Sequence, residues 1–273
     1  LIGIAHRPAR AIAQRIEHDK PDSYLGMALL SSLNASNVRA LTPSLLAWAA
    51  SDDAASEPRD QVIPTAVGVA IAANDAETLA VMATDIAKHD QQDYGPAQFI
   101  QLAKYLDALR SKEATLDALG TGVTAEAART QIAAMLAAAR NMVSDSAANE
   151  PLRAAAAITL GKDAMQRDAD IALLGELLTA DAPESLRAAA LETLLDTESD
   201  VVPGVAFAAW PSISADSRLS VLDAMQRRET WLAALMTALE GGVPSFRELD
   251  AAHRQDLLTS KNDDIRARAE KLM

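Results

Sequence analysis

At 273 residues and a net charge of −13, with about half its residues apolar, the chain is long for one globular core but natural for an elongated stack of helices. The charge argues against nucleic acid, which needs a basic face; the densest basic pair, Arg227-Arg228, is followed at once by Glu229. The absence of cysteine removes disulfides, thiol nucleophiles, Fe–S clusters and cysteine-ligated zinc, and no apolar run approaches membrane-spanning length without polar interruption.

Alanine dominates, there are three each of Trp, Tyr and Phe, and period-two runs of β-branched residues are missing, so an all-α fold is expected. In chain order, Ala9 to Glu17 is a first helix candidate, broken by Asp19-Lys20-Pro21. Tyr24 to Leu33 follows, with Leu25, Leu29 and Leu33 on one face. Thr42-Pro43 reads as a helix start, a hydroxyl cap with proline at the first helical position, opening a helix that carries Leu45, Leu46 and Trp48. Ser51 to Pro58 reads as a loop. Val62 to Ala73 and Glu77 to Ala87 are apolar helices joined by Asn74-Asp75, with Pro64 beginning or kinking the first. Beyond the irregular linker Lys88 to Pro96 come Ala97 to Arg110, a short Ala114 to Leu119 with Gly120-Thr121-Gly122 as stop, and a long helix from a Thr124 cap to about Met142.

From Glu150 onward the chain repeats. Glu150-Pro151-Leu152-Arg153-Ala154-Ala155-Ala156-Ala157 is answered by Glu184-Ser185-Leu186-Arg187-Ala188-Ala189-Ala190-Leu191, with the two arginines 34 residues apart. Weaker copies follow at Asp216-Ser217-Arg218-Leu219 and at Asp264-Ile265-Arg266-Ala267-Arg268. Apolar runs (Ile171 to Leu178, Val201 to Trp210, Trp231 to Leu239) lie between the copies. A period in the thirties built from two short helices predicts a HEAT-like α-solenoid, an α-α superhelix of about seven or eight helix pairs. It is expected to span 1–273 as a single domain, with a possible sub-division into degenerate repeats over 1–90 and more regular ones over 96–273; a break at Gly120–Gly122 is the other candidate.

The recurring arginines Arg153, Arg187, Arg218 and Arg266 carry two readings. Each guanidinium can reach an aspartate or carbonyl of a neighbouring turn and tie repeat to repeat; alternatively, the four form a row that grips anions on an open face. Repeat position favours the first. Trp48, Trp210 and Trp231 are candidates to anchor a partner in a groove, although Trp210 ends an apolar run and Trp231 begins one, which favours wedging of those two between helix layers. The four histidines, His6, His18, His89 and His253, stand far apart. Asp85, His89, Asp90 and Asp93 form the one clump resembling metal ligands, but their spacing matches neither a calcium loop nor a two-histidine helix motif. Asp168/Asp170 and Asp263/Asp264 fit helix-start acids better than catalytic pairs. No Gly-x-Ser-x-Gly turn or glycine-rich phosphate loop occurs, and Gly241-Gly242 reads as an ordinary helix stop. No catalytic, cofactor-binding or metal-binding residue is therefore assigned.

Residues 137–161, Ala-Ala-Ala-Arg140-Asn-Met-Val-Ser-Asp145 through Arg153-Ala-Ala-Ala-Ala-Ile-Thr-Leu-Gly161, resemble a segment of the large planctomycete-type (PVC-type) haem-binding proteins. So does the tail, from Val202 to Trp210 through Arg228-Glu-Thr-Trp231 and Glu240-Gly241-Gly-Val243 to Ile265-Arg266-Ala-Arg268. In that family a propeller resembling sugar dehydrogenases precedes a HEAT-like, armadillo-like region, and a cytochrome c domain with a Cys-x-x-Cys-His haem site follows. The resemblance implies that this chain, which begins at Leu1, is the helical middle part alone, ending before the cytochrome. It implies a periplasmic or secreted setting, and it carries over no active-site residue and no cofactor. Three functions follow as expectations: a non-catalytic connector that holds neighbouring domains of the same chain, a free-standing module that binds another protein, and an enzyme on a HEAT scaffold of lyase or glycosylase type. The acidity speaks against a glycosylase.

Overall fold

Alanine and leucine set on 3.6-residue periods leave few ways to bury apolar surface except helix against helix. The computed structural model describes residues 23–51, 57–88 and 93–273, so the expected helix Ala9 to Glu17 lies outside the described residues. Among the described residues there are fifteen α-helices, three short 3-10 turns and no strand: the fold is all-α. The chain divides into two units, one through Asp145 and one from Ser146 to Met273.

The described part of the first unit holds α1 (Ser23–Ser31), α2 (Val38–Ala49), α3 (Glu57–Asp60), α4 (Val62–Ala72), α5 (Ala76–Ile86), α6 (Pro96–Ser111) and α7 (Val123–Ser144). Alternate helices pack together, α2 on α4, α4 on α6 and α5 on α7, around a core that includes Leu41, Ile63, Leu79, Phe99 and Met135. Each such buried side chain contributes about 1.5 to 3 kcal/mol. The expected start at Thr42-Pro43 is not one, because α2 begins at Val38 and carries Pro43 inside. Val38, Leu41, Leu45 and Trp48 are buried on both sides of the proline, and this packing outweighs a cost of about 3 kcal/mol. The Thr42 hydroxyl donates back to the Val38 carbonyl at 3.1 Å instead of capping. Thr124 is likewise inside its helix, with Gly122 at the cap position. Pro58, expected in a loop, falls in α3.

The linker Lys88 to Pro96 falls inside the first unit. Gln98, near the start of α6, accepts the Gly95 N–H at 3.0 Å and donates to the Ile86 and Lys88 carbonyls at 3.2 and 3.0 Å. It thereby joins the end of α5 to the start of α6. Two buried side chains fasten the interior further: Gln101 donates to the Leu46 carbonyl at 2.7 Å, and the Tyr105 hydroxyl to the Leu79 carbonyl at 2.9 Å. Burial pushes the Tyr105 phenol far up from its ordinary value.

The second unit holds α8 (Glu150–Ala157), α9 (Arg167–Glu176), α10 (Glu184–Asp196), α11 (Val202–Ala208), α12 (Ala215–Gln226), α13 (Glu229–Glu240), α14 (Ala251–Leu258) and α15 (Asp263–Lys271). Again helices meet their next-but-one neighbours: α8 with α10, α10 with α12, α9 with α11, α11 with α13, and α13 with α15. Polar links follow the same ladder. Ser185 donates to Glu150, Thr230 to Asp200 at 2.8 Å, and Arg268 reaches Glu240 at 2.7 and 2.8 Å, over separations of 35, 30 and 28 residues. The first separation lies close to the 34-residue interval between Arg153 and Arg187, and the other two are shorter.

Candidate functional site

Five helices of the second unit carry arginine as their fourth residue: Arg153 in α8, Arg187 in α10, Arg218 in α12, Arg254 in α14 and Arg266 in α15. From that position a long side chain turns back over the N-terminal end of its own helix and meets the loop that leads into it. The Arg187 Nη1 donates to the carbonyls of Ala182, Ala180 and Thr179 at 2.7, 3.0 and 3.3 Å. The Arg218 Nε donates to the Trp210 carbonyl at 3.1 Å, with the guanidinium 5.4 Å from the Trp210 ring centre. Arg266 donates to the Ser260 carbonyl at 2.8 Å and pairs with Asp263. Arg153 is half-buried at the equivalent place. In the first unit Arg129 acts alike, reaching the Gly120 and Leu116 carbonyls at 2.5 and 3.2 Å.

Of the two partners expected for these arginines, an aspartate or a carbonyl of a neighbouring turn, Arg187 takes carbonyls, and the turn is the loop that leads into its own helix. Arg218 also lies 3.8 Å from the Glu248 carboxylate of a later turn. Arg254, absent from the expected set, donates to the Asp250 carbonyl at 3.3 Å. Its motif is less alike, Ala-His-Arg in place of Leu-Arg, but Asp250 three residues before His253 is a readable helix cap.

The three tryptophans are interior, so their rings are not offered to a partner. Trp48 is 7% exposed, Trp210 3% and Trp231 1%. Trp210 sits against Phe207 with ring centres 6.3 Å apart, and the Arg228 guanidinium lies 5.1 Å from the Trp231 ring centre. Arg228 also bridges to Glu198 at 2.7 Å.

Of the other candidates, His6, His18, His89 and Asp90 lie outside the described residues. Asp85 is held above the usual carboxylate range by burial, against the pull of Lys88. Among the described residues no group of three or more His, Asp or Glu side chains is placed to hold a metal ion. Asp168 is exposed, whereas Asp170 is fully buried and accepts the Gly161 N–H at 2.9 Å. Asp263 pairs with Arg266 and Asp264 with Arg268 at 3.6 Å, at the dipole-favoured start of α15.

One ionisable cluster was not legible as a unit in the sequence. His253 is 7% exposed, and both its ring nitrogens face carboxylates: Nδ1 lies 2.9 Å from Asp250 Oδ1 and Nε2 3.1 Å from Asp223 Oδ1. Asp250 also accepts the His253 backbone N–H at 2.8 Å, and this bond, followed by the ring contact, holds its carboxyl below the usual range. Asp223 stands on the rim of a groove of about 480 Å³ between α10 and α12, with Glu192, Asp196 and Asp216 on the rim and Leu191 and Leu195 among its apolar lining. Through these two contacts the imidazole joins α12 to the start of α14. No helix among the described residues is long and apolar enough to cross a membrane.

Compared with protein-family models, with curated proteins and with solved structures, the chain matches none.

Proposed function

We propose that the chain is a non-catalytic helical-repeat scaffold of the HEAT-like α-solenoid kind. On this reading it serves as the middle region of a larger dehydrogenase–cytochrome c protein, where it positions neighbouring domains and binds protein. One observation carries the reading: an arginine recurs at the fourth position of five of the eight helices of the second unit, fastening the lead-in loop at Arg187, Arg218 and Arg266, and helices are linked laterally at separations of 28 to 35 residues. A segment that repeats its own fastener and its own lateral contact is built for stacking, and a stack provides length and surface in place of an enclosed pocket. The parentage rests on the resemblance of residues 137–161 and of the tail to the haem-binding family, and the periplasmic or secreted setting goes with it.

Small-angle scattering of the 273-residue chain tests the architecture. A stack gives a radius of gyration well above the roughly 18.5 Å expected of a globular chain of this length; a value at that figure refutes it. Binding of the purified chain to a separately produced cytochrome c domain from the same parent protein, read by interferometry, tests the positioning role. Absence of binding both to that domain and to the propeller domain removes it.

A second reading, a free-standing peptide-binding module, draws on the α10–α12 groove, whose lining has four acids against one arginine, Arg227, together with two leucines. It predicts that a basic, leucine-bearing helical peptide binds the isolated chain and that Asp216→Lys abolishes the binding.

A further inference from the structure

We infer that His253 is a protonation-controlled link between α12 and α14: both sides are made when the imidazole carries two protons, and the α12 side is lost when it carries one. The argument is a count of hydrogens. A carboxylate oxygen only accepts, and a neutral imidazole has a single N–H. Contacts of 2.9 Å to Asp250 and 3.1 Å to Asp223 are therefore both hydrogen bonds only when both ring nitrogens carry hydrogen. In the neutral ring one of them sets lone pair against lone pair.

The asymmetry of the two aspartates decides which side lets go. Asp250 is fixed as the cap of α14 by the His253 backbone N–H, so Nδ1 keeps its hydrogen and its partner. The Asp223 side chain is 62% exposed and is free to turn to water. Other charged groups do not take over either contact. On α14, Arg254 donates to the Asp250 carbonyl, and on the turn Phe246–Glu248 the Glu248 carboxylate accepts the Ser245 N–H. On α15, Arg266 pairs with Asp263, and Arg268 with Asp264 and Glu240. Arg227 on α12, Asp256 on α14 and Glu270 and Lys271 on α15 make no bond to His253 among the described residues. The doubly protonated ring therefore holds α12 and α14 through two hydrogen bonds and the singly protonated ring through one.

The test uses the full chain and three sequences, wild type, Asp223→Asn and His253→Gln, melted between about pH 5.5 and about pH 8, the span in which an imidazole changes charge. The wild-type melting temperature is expected to fall by about 4 to 8 °C across that span, the equivalent of one part-buried hydrogen bond to a charged group in a unit of this size. Asp223→Asn has a shallower slope, because an amide accepts from the imidazolium and, turned over, donates to the bare nitrogen. His253→Gln loses the slope this residue contributes, while His6, His18 and His89 remain in all three proteins and cancel in the comparison. Equal slopes in wild type and Asp223→Asn overturn the proposal. Nitrogen NMR of the wild-type imidazole reads the same point without a variant: two protonated ring nitrogens at the acidic end and one at the basic end are expected. A singly protonated His253 ring at the acidic end overturns it.

Discussion

Replacing Arg187 with alanine isolates what the recurrent arginines do. Its Nη1 is within 3.3 Å of three carbonyls in the 179–182 loop, the nearest at 2.7 Å. One nitrogen has two hydrogens, so at most two of these bonds are full at once. A hydrogen bond to a charged donor is worth about 1.5 to 3 kcal/mol when protected. Here two of the three contacts are exposed, and water replaces most of what they provide. The loss is therefore set by the part-buried bond to Ala182, with a small addition, at about 1 to 2 kcal/mol. In a unit of this size that lowers the melting temperature by about 4 to 8 °C, read by calorimetry or circular dichroism. Arg187→Lys keeps the charge but replaces a planar fork by a point donor, and recovers part of the loss. Arg254→Ala, which removes one bond at 3.3 Å, costs less than Arg187→Ala. A melting temperature for Arg187→Ala indistinguishable from wild type, or an equal loss for Arg254→Ala, refutes loop fastening as the reason for the position.

Two further tests address single features. Gly161 has φ +73°, and a Cβ there would lie 2.8 Å from the Thr197 Oγ1. Gly161→Ala is accordingly expected to destabilise by about 1 to 2 kcal/mol from backbone strain alone, measured by urea unfolding, and Gly161→Ala with Thr197→Ala recovers only the clash; full recovery in the double variant would show that the backbone strain was misjudged. On the acid side, burial raises Asp75, but bonds from Thr78 and the Arg39 guanidinium outweigh it and leave its carboxyl low; Arg268 holds Glu240 low, and the Ser245 N–H holds Glu248 low. Carboxyls lowered on folding stabilise above their unfolded values, near 3.9 to 4.3, and lose that contribution as pH falls below them. The melting temperature of the chain is expected to drop steeply below about pH 4, and Asp75→Asn to drop less steeply; parallel curves for the two proteins contradict the role given to Asp75.

The helices were readable because their apolar periods survive the alanine background, and the arginine series was readable because four copies kept part of one phrase. What failed was punctuation. Thr42-Pro43 has the chemistry of a start, but the buried face runs through it from Val38 to Trp48. Glycine and proline drew attention to Lys88 to Pro96, yet Gln98 bonds across that stretch, whereas the division at Asp145/Ser146 falls in a short polar turn with neither residue. The Asp223–His253 contact was not visible because its partners are 30 residues apart and each is unremarkable in its own helix.

The fourth-position arginine also bears on how such a chain lengthens. Since the guanidinium grips carbonyls of the strand of backbone that leads into its own helix, a duplicated stretch of gene would bring lead-in and fastener together as one cassette. On the proposed helical-repeat reading, the new copy would arrive with its lead-in loop already fastened to its own helix. Insertion of one more 34-residue cassette at the turn before Glu184 is, on that same reading, the engineering change the chain should accept most readily.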